Sequence, residues 1–355
     1  MIPSYRYIAL NFFAGLFDDP LLMLRIKPIG RSLLVDCGNM AHLSKRLFKS
    51  IDSVFVSHTH MDHFAGIDTL IRHVLVSNKT INLFGPVGIA EHLYHKMRGY
   101  QWNLVEDFYC RFKIHEVSES SMDVRLLSGP NGFELSQLDR ITRSSSLIYE
   151  DRFVSAETMI CDHLIPSLVF RFNEKSNFSV DIKKVEAEGM VPGAWLSELK
   201  DRLIKPKSHA VPVAATFKVD GKVEKKSIDD ERGLYEKIKR EGLLSSVGYI
   251  TDIGYTEQNM AKIKTLMSNV TLLICECAFL KAQKDKARQS YHLCTDDVNE
   301  LLRLIKPQFV LPMHLSKSNK DKEDQLYKEL DPPLGCSVVK LPRRVSAEPL
   351  VYSGN

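Results

Sequence analysis

Short apolar runs alternate with longer segments of helical periodicity along most of the chain. The runs predict buried strands and the periodic segments predict helices. The predicted strands lie near 33–37, 53–57, 81–84, 247–251, 271–275 and 308–312. The predicted helices lie near 66–76, 87–99, 257–267, 295–305 and 322–330. Because strands and helices alternate at both ends of the chain, we expect two βαβ-like halves of an α/β fold.

A more polar region separates the two halves. Strand-like segments between about 108 and 172 are divided by polar turns, and the following segment, 173–246, mixes a predicted helix at 194–203 with a hairpin-like stretch at Asp220-Gly221. This segment is rich in basic residues: Lys183, Lys184, Lys200, Lys205, Lys207, Lys218, Lys222, Lys225, Lys226, Lys237, Lys239 and Arg240. Such a run can neutralise phosphates. Because acidic residues are interleaved with it, an ordinary solvated surface is the alternative interpretation.

Composition narrows the class of protein. The chain has 355 residues, 44% of them hydrophobic, so there is ample material for a buried core. We expect one domain over 1–355, with 173–246 as a basic insertion and candidate substrate-contacting element. The formal net charge of +4 is only mildly basic and does not by itself indicate nucleic acid binding.

The cellular setting is also an expectation from the sequence. An uninterrupted apolar stretch long enough to span a membrane is absent, and the first residues do not resemble a secretory signal. The seven cysteines are scattered without zinc-finger spacing. We therefore expect a cytoplasmic protein with reduced thiols and no membrane association.

The strongest chemical signal is the run Ser57-His58-Thr59-His60-Met61-Asp62-His63, which follows the apolar residues 54–56. Side chains alternate on an extended segment, so His58 and His60 point the same way and can hold one ion. Once the chain turns, Asp62 and His63 can reach a second ion. The alternative is a surface loop that happens to be rich in histidine. We favour a site for two zinc-class ions.

The pattern resembles the metallo-β-lactamase superfamily, and four further residues stand where that family has its other motifs. Asp36 ends a strand, His163 lies between apolar segments, Asp252 follows a strand and His314 follows the last strand. The resemblance implies an αββα sandwich, two mixed sheets flanked by helices. It implies that Asp36 orients the metal ligands without binding the metal, and that Asp252 bridges the two ions.

The ligand sets that the resemblance implies divide between the two ions. One ion takes three histidines and the other takes a carboxylate and two histidines, with Asp252 shared. The predicted metal ligands are His58, His60, Asp62, His63, His163, Asp252 and His314. We expect two divalent ions, zinc first, with manganese or iron as the alternatives.

Glu276 and His292 suggest a branch of the superfamily. Their surroundings, Leu273-Ile274-Cys275-Glu276-Cys277 and Tyr291-His292-Leu293, resemble the Glu and His pair of ribonuclease Z. In that family the His assists the leaving group and the Glu holds the His. The resemblance implies an endonuclease that cuts the 3′ end of precursor tRNA, with Asp62, His292 and Glu276 as catalytic residues.

Two features leave the substrate open. The chain lacks a recognisable Gly/Pro-rich arm of the kind that grips tRNA in this family, and Met61 and Thr251-Asp252-Ile253 depart from its usual motifs. The alternative is a small-molecule metallohydrolase on the same fold, such as a cyclic-nucleotide phosphodiesterase. The resemblance also implies a homodimer, with RNA as the partner molecule.

Overall fold

The computed structural model describes residues 3–104, 106–175, 179–204, 212–219, 222–240 and 245–345. Lys205, Lys207 and the predicted Asp220-Gly221 turn lie outside these residues. The chain divides into two compact units, one made of 1–174 and 245–355 and the other of 175–244. In the described part of the chain, no helix is long and apolar enough to cross a membrane.

The first sheet of the larger unit has eight strands in sequence order. They are β1 (Ile8–Phe12), β2 (Leu22–Ile26), β3 (Arg31–Val35), β4 (Ile51–Phe55), β5 (Thr80–Pro86), β6 (Arg111–Val117), β7 (Ser121–Ser128) and β8 (Leu135–Thr142). The strands β3 to β6 are parallel, and the pairs on either side of them are antiparallel. The sheet is therefore mixed, as predicted.

The second sheet has seven strands in the order β17-β16-β15-β14-β11-β10-β9. They are β9 (Leu147–Glu150), β10 (Val154–Asp162), β11 (Pro166–Glu174), β14 (Ser246–Ile250), β15 (Leu272–Glu276), β16 (Phe309–Met313) and β17 (Ser337–Val338). The strands β14 to β17 are parallel, and β9, β10, β11 and β14 pair antiparallel.

Apolar side chains hold the two sheets face to face. Phe55 of the first sheet stacks on Phe84 at 4.9 Å between ring centroids and meets Phe172 of the second sheet edge-on at 5.1 Å. Both of these strand phenylalanines, Phe55 and Phe172, are fully buried. Edge-to-face and stacked contacts of this kind add to the free energy gained by burying the rings. This layer is the central core of the unit.

Helices cover both outer faces. On the first sheet lie α1 (Lys45–Ser50), α2 (Met61–Phe64), α3 (Ile67–Val74) and α4 (Ile89–Arg98); the second half carries α8 (Glu257–Met267), α9 (Lys284–Gln289), α10 (Thr295–Ile305) and α11 (Glu323–Glu329). Leu70 and Leu93 are buried in the core between the first sheet and its helices, and Ile263 and Leu301 in the core of the second. The predicted αββα sandwich is confirmed.

The smaller unit has its own secondary structure and core. It contains α5 (Ile182–Ala187), α6 (Trp195–Ile204), the hairpin of β12 (Val213–Val219) and β13 (Lys222–Ile228), and α7 (Glu231–Ile238). Val185, Met190, Trp195, Leu199 and Ile238 are buried together. The helix α6 and the hairpin correspond to the predicted elements, whereas α5 and α7 had not been predicted.

Three further strands had not been predicted: β1, β2 and the two-residue edge strand β17. The strands β1 and β2 form an antiparallel extension of the first sheet, ahead of the first predicted strand. The alternation along β1 is weak, because Leu10 and Phe12 are only half-buried and Asn11 is exposed. An edge strand that buries little of either face leaves little periodic signal in the sequence.

Candidate metal centre

Loops that follow strands bring the seven predicted metal ligands together. His58 and His60 lie in the loop after β4, and Asp62 and His63 lie in the short helix α2 that follows. The other three come from the second sheet: His163 follows β10, Asp252 follows β14 and His314 follows β16. Because parallel strands end at the same edge of a sheet, residues far apart in sequence meet there.

The ligand atoms form two groups that share one carboxylate. The first group is His58, His60, His163 and Asp252, and the second is Asp62, His63, Asp252 and His314; within each group the candidate ligand atoms lie within 4.8 Å of one another. These are the two sets that the resemblance implied. Their ligation of metal stays a prediction, since it needs a measurement of bound ions.

Asp252 lies between the two groups. Its Oδ2 is 3.7 Å from Nε2 of His58, 3.3 Å from Nε2 of His63 and 3.9 Å from Nε2 of His163. Its Oδ1 is 3.1 Å from Nδ1 of His314. Each carboxylate oxygen therefore faces a different set of imidazoles, which is the arrangement a bridging ligand needs.

The hydrogen bonding of the cluster fits a bound metal. Nε2 of His58, Nε2 of His63 and Nδ1 of His314 are buried and have no hydrogen-bond partner among the described residues. A buried polar atom without a partner costs roughly 1–3 kcal/mol of desolvation. Three of them converge on one carboxylate, and nitrogen and carboxylate oxygen are ligands of zinc. The residues present can therefore hold divalent metal.

Asp36 fixes the orientation of His63 and of the start of the metal motif at Ser57. Its carboxylate accepts hydrogen bonds from the Ser57 amide at 2.8 Å, the Tyr249 hydroxyl at 2.7 Å and Nδ1 of His63 at 2.8 Å. With Nδ1 donating to Asp36, the other nitrogen of His63 is left to face the metal groups. Asp36 is fully buried and has a φ of 55°, a left-handed conformation that is uncommon outside glycine.

His163 is oriented by the backbone rather than by a carboxylate. Its Nδ1 donates to the Tyr291 carbonyl at 2.6 Å, which leaves Nε2 for a metal. Asn259 braces the start of this loop, accepting from the Asp162 amide at 2.9 Å and donating to the Asp162 carbonyl at 2.9 Å. Tyr291 has a φ of 53° and His314 a φ of 61°, so backbone strain is concentrated here.

Burial and neighbouring charges shift the pKa values of several residues in the cluster. Burial, reinforced by the positive charge of His63, lowers the pKa of His58 to about 2, so its imidazole is neutral and able to ligate. Burial opposes charge on His314, but the carboxylate of Asp252 outweighs it and raises the pKa of His314 to about 10, so this imidazole has to release a proton in order to ligate. Burial also disfavours ionised Asp62, yet the hydrogen bond from His314 holds the pKa of Asp62 below its usual range.

Glu276 and His292 form a separate pair beside the cluster. Glu276 is fully buried; its Oε2 is 2.9 Å from Nδ1 of His292, and its Oε1 accepts from the Ile253 amide at 2.8 Å. Burial disfavours charge on His292, but Glu276 outweighs it and raises the pKa of His292. The imidazole of His292 is 4.8 Å from that of His163, between ring centroids.

Glu276 and His292 could also form a third ligand group with Asp252 and His314. Both carboxylate oxygens of Glu276 already accept hydrogen bonds, from His292 and from Ile253. The geometry therefore favours the pair as a supported imidazole over its use as a metal ligand.

A cleft of about 600 Å³ opens over His292, His314 and Asp62. Phe279, Lys317, Asp18 and Asp19 also line it, so the opening combines an aromatic wall with charges of both signs. A ligand in this cleft would reach both the metal cluster and the Glu276 and His292 pair.

Sequence reasoning missed several supporting residues. Ser57 lies inside the metal motif, yet its bond to Asp36 was not predicted. Tyr249, Tyr291 and Asn259 gave no signal, because each acts through a contact with a residue far away in sequence. His92, to which no role was assigned, has Nδ1 2.9 Å from the Thr59 hydroxyl, next to the metal loop.

Comparisons with known proteins agree with the fold and the motifs. The family described as "Anti-Pycsar protein Apyc1" matches residues 17–187. Ribonuclease Z of Deinococcus radiodurans is 24% identical over 294 residues, which cover 82% of this chain and 84% of that protein. Ribonuclease Z of Prochlorococcus marinus is 24% identical over 304 residues, covering 83% of this chain and 81% of that protein.

A solved structure shows the same fold. The metallo-β-lactamase fold protein YhfI from Bacillus subtilis aligns with a TM-score of 0.51 and 13% identity, covering 94% of this chain and 96% of that one. At this identity the likeness concerns the fold alone. Together with the ribonuclease Z relatives, it confirms the resemblance found in the sequence. The chain therefore has the metallo-β-lactamase fold, and its sequence is similar to ribonuclease Z proteins over four-fifths of its length.

Proposed function

We propose that the protein is a dinuclear-metal phosphodiesterase, and that it acts as a ribonuclease Z-like endonuclease on the 3′ end of precursor tRNA. The observation that carries this proposal is the arrangement of two ligand groups sharing Asp252, with the Glu276 and His292 pair beside them. Hydrolysis of an RNA phosphodiester is accelerated both by stabilisation of charge on phosphorus and by a proton for the departing ribose oxygen.

The two ligand groups would each hold one divalent ion, and we propose zinc because imidazole supplies three of the four ligands in the first group and two of the four in the second. Ions bound there supply Lewis acidity and a water that is nucleophilic near neutral pH. Asp62 belongs to the second group and also lines the cleft: its Oδ2 is 3.0 Å from Nε2 of His314, and its side chain is part-exposed. In this proposal Asp62 orients the attacking water as well as binding metal.

His292 would deliver the proton to the leaving oxygen. Its Nδ1 is held by Glu276, so the remaining ring nitrogen carries the transferable proton, and its imidazole lines the cleft. The buried carboxylate of Glu276 favours the protonated imidazole and fixes its orientation. A positioned acid of this kind contributes typically about 10²–10⁴-fold to a rate.

The RNA substrate is supported by the relatives named ribonuclease Z, which match this chain over four-fifths of its length. The smaller unit offers basic residues that fit an RNA backbone: Lys222, Lys225 and Lys226 are exposed on β13. We propose that this unit contacts substrate. Changing these three lysines to Ala should weaken RNA binding without altering hydrolysis of a small phosphodiester.

A small-molecule phosphodiesterase, for example one acting on cyclic nucleotides, is the second candidate. The cleft volume of about 600 Å³ favours it, because small-ligand sites commonly measure about 300–1,000 Å³. The chemistry of the ligand groups and of His292 would be the same in both cases.

The deciding experiment is cleavage of a 3′-extended precursor tRNA by the metal-loaded protein, with Asp62→Ala as the control. The proposal predicts a single cut after the discriminator base that is lost in the control. An uncut precursor, together with Asp62-dependent hydrolysis of cyclic nucleotides, would contradict the RNA substrate and favour the second candidate.

We further propose a homodimer in the cytoplasm. All seven cysteines are free and six are buried, which fits a reducing compartment. Sedimentation velocity should give twice the 40.4 kDa chain mass. A single species at the chain mass, across the concentrations used in the assay, would contradict the dimer.

A further inference from the structure

An open cavity of about 790 Å³ lies at the far end of the first sheet from the metal cluster. It is lined mainly by Lys45, Lys49, Arg72, His73, Ser77 and Lys79. These residues surround the amino ends of β4 and β5, whereas the metal loop follows the carboxyl end of β4. The five residues of β4 separate the two places by about 16 Å.

Several basic side chains without an acidic partner among the described residues face this cavity. None of its lining residues is acidic. In the described part of the chain, the side chains of Lys45, Lys49 and Arg72 make no hydrogen bond or ion pair. The acidic residues nearby are engaged elsewhere: Asp52 lies 3.8 Å from Arg31, and Asp68 lies 2.8 Å from Lys96. Like charges gathered around one cavity repel, and a bound anion would relieve that repulsion.

Lys79 is the most confined of these cations. Its ammonium donates to the carbonyl oxygens of Lys49 and Ile51, and its side chain is part-buried. Burial lowers the pKa of Lys79; the charge of Arg31 adds to this effect and that of Asp52 opposes it. A phosphate in the cavity would therefore favour the charged form of this lysine.

Helix dipoles explain only part of the cluster. Lys49 is in the last turn of α1, and Arg72 and His73 are in the last turn of α3, where cations are favourable. Lys45 is the first residue of α1, at the end where the dipole disfavours a cation. Lys79 lies outside any helix. The convergence of all four cations on one cavity needs another explanation.

An aromatic cavity of about 500 Å³ adjoins this one and shares Arg72. It is lined by Ile71, Leu75, Tyr100 and Trp102. Tyr100 is 51% exposed. The Trp102 indole nitrogen donates to the Met97 carbonyl at 2.9 Å, which fixes the ring. A basic cavity next to an exposed aromatic ring is the combination that binds single-stranded nucleic acid, through phosphates and a stacked base.

We propose that the basic cavity is a phosphate-binding site for a nucleotide unit, with the base against Tyr100. Its ligand is the backbone of an RNA strand that reaches beyond the metal cluster; a free nucleotide carries the same chemistry. The choice of RNA rests on the proposed function, whereas the phosphate site itself does not.

The test measures binding rather than cleavage. Fluorescein-labelled single-stranded RNA is titrated by anisotropy into the full-length, metal-loaded protein carrying Asp62→Ala, so that the probe stays intact. The variant adds Lys45→Ala, Lys49→Ala and Arg72→Ala. The matched control instead adds Lys264→Ala, Lys328→Ala and Arg25→Ala, three exposed cations elsewhere on the same unit. Competition with 5′-AMP forms the second arm.

The site predicts about a tenfold rise in the RNA dissociation constant for the variant, and a salt slope smaller by about 2, since each single-strand phosphate contact contributes about 0.7. The control stays within about twofold. Loss of 5′-AMP binding with unchanged RNA binding would keep the phosphate site and assign a free nucleotide as its ligand. Unchanged binding of both ligands would overturn the proposal.

Two further readouts separate this inference from other outcomes. The same three substitutions in the wild-type background should leave hydrolysis of bis(p-nitrophenyl) phosphate unchanged, because none of them touches the metal cluster. RNA that binds through this cavity but is never cut would refute the proposed endonuclease and keep the site. Normal binding of both ligands combined with an altered sedimentation coefficient would overturn the site and assign this face to subunit contact.

Discussion

The metal cluster and the Glu276 and His292 pair are neighbours that use imidazole in opposite ways. In the cluster, His63 has one nitrogen fixed by Asp36 while the other is buried without a hydrogen-bond partner among the described residues. His292 also has one nitrogen fixed by a carboxylate, but its ring reaches the cleft. Buried, unpaired nitrogens that converge on one carboxylate suit a metal, whereas a supported imidazole at a cleft suits proton transfer.

The largest effect is expected from Asp252→Ala, because this residue belongs to both ligand groups. We predict a loss of activity of roughly 10³-fold or more, since metal-derived charge stabilisation amounts to several kcal/mol. The measurement is the rate on bis(p-nitrophenyl) phosphate at saturating zinc. Asp139→Ala removes an exposed carboxylate of β8 and is the control that should keep full activity. Normal turnover of Asp252→Ala would break the assignment of the cluster.

His292→Ala should have a smaller and more selective effect. If His292 gives a proton to the leaving oxygen, the loss should be about 10²–10⁴-fold for an RNA substrate, whose leaving group is a ribose oxygen. With p-nitrophenolate as the leaving group, which needs no proton at neutral pH, the loss should be less than about tenfold. Equal losses on both substrates would show that His292 does not act as the acid.

Asp36→Asn tests how the metal ligands of the cluster are oriented. The variant keeps the size of the side chain but weakens the hydrogen bonds that orient Ser57 and His63. We predict a metal affinity lower by about 10–100-fold, the usual effect of losing such a supporting residue. Zinc titration against a competing chelator measures it. Tyr249→Phe, which removes one donor to the same carboxylate, should show a smaller loss of affinity, and an unchanged affinity in both variants would contradict the role of Asp36.

His115 is a buried histidine outside the site, and in the described part of the chain it belongs to no group of candidate metal ligands. Its Nδ1 also has no partner among the described residues, but no other candidate ligand converges on it, and its ring stacks on Phe84 at 4.4 Å. An unpaired nitrogen therefore indicates metal only where several meet. Burial, with Lys113 adding to it, lowers the pKa of His115 to about 4.

The smallest predicted effect follows from that pKa. His115 is protonated below about pH 6.5 in the unfolded chain but only below about pH 4 in the folded chain. The free energy of unfolding therefore falls as the pH falls between these two values. The loss is at most roughly 3 kcal/mol. His115→Phe should lose less stability than the wild type between pH 7.5 and pH 5.0, measured by urea unfolding of metal-free protein. An identical loss in both proteins would refute the effect.

The sequence allowed prediction of the metal ligands and of two residues that orient site imidazoles, Asp36 and Glu276, but not of the other supporting contacts. The run from His58 to His63 is local, so its spacing alone indicated a metal site. Asp252 and His314 were predicted from the resemblance to the metallo-β-lactamase superfamily, because each follows an apolar strand where that family has a motif. Tyr249 and Tyr291 were not predictable, because a buried hydroxyl and a backbone carbonyl leave no periodic or compositional trace. The contact between Tyr249 and Asp36 spans 213 residues.

In the fold, too, local patterns were predictable from the sequence and long-range packing was not. Except for the two-residue strand β17, the parallel strands of both sheets are short apolar runs and were predicted within a few residues. The helices α5 and α7 of the smaller unit are short and highly charged, so their periodicity is faint. Their stability comes from packing against Trp195 and Val213 in a core of their own, and that packing is visible only in three dimensions.

The account is tested most directly by counting metal ions in three proteins prepared in parallel. Inductively coupled plasma mass spectrometry should give two zinc-class ions per chain for the wild type, two for His292→Ala, and fewer than one for Asp252→Ala. Retention of two ions by Asp252→Ala, or their loss from His292→Ala, would contradict the division between a metal cluster and a separate imidazole that handles the proton.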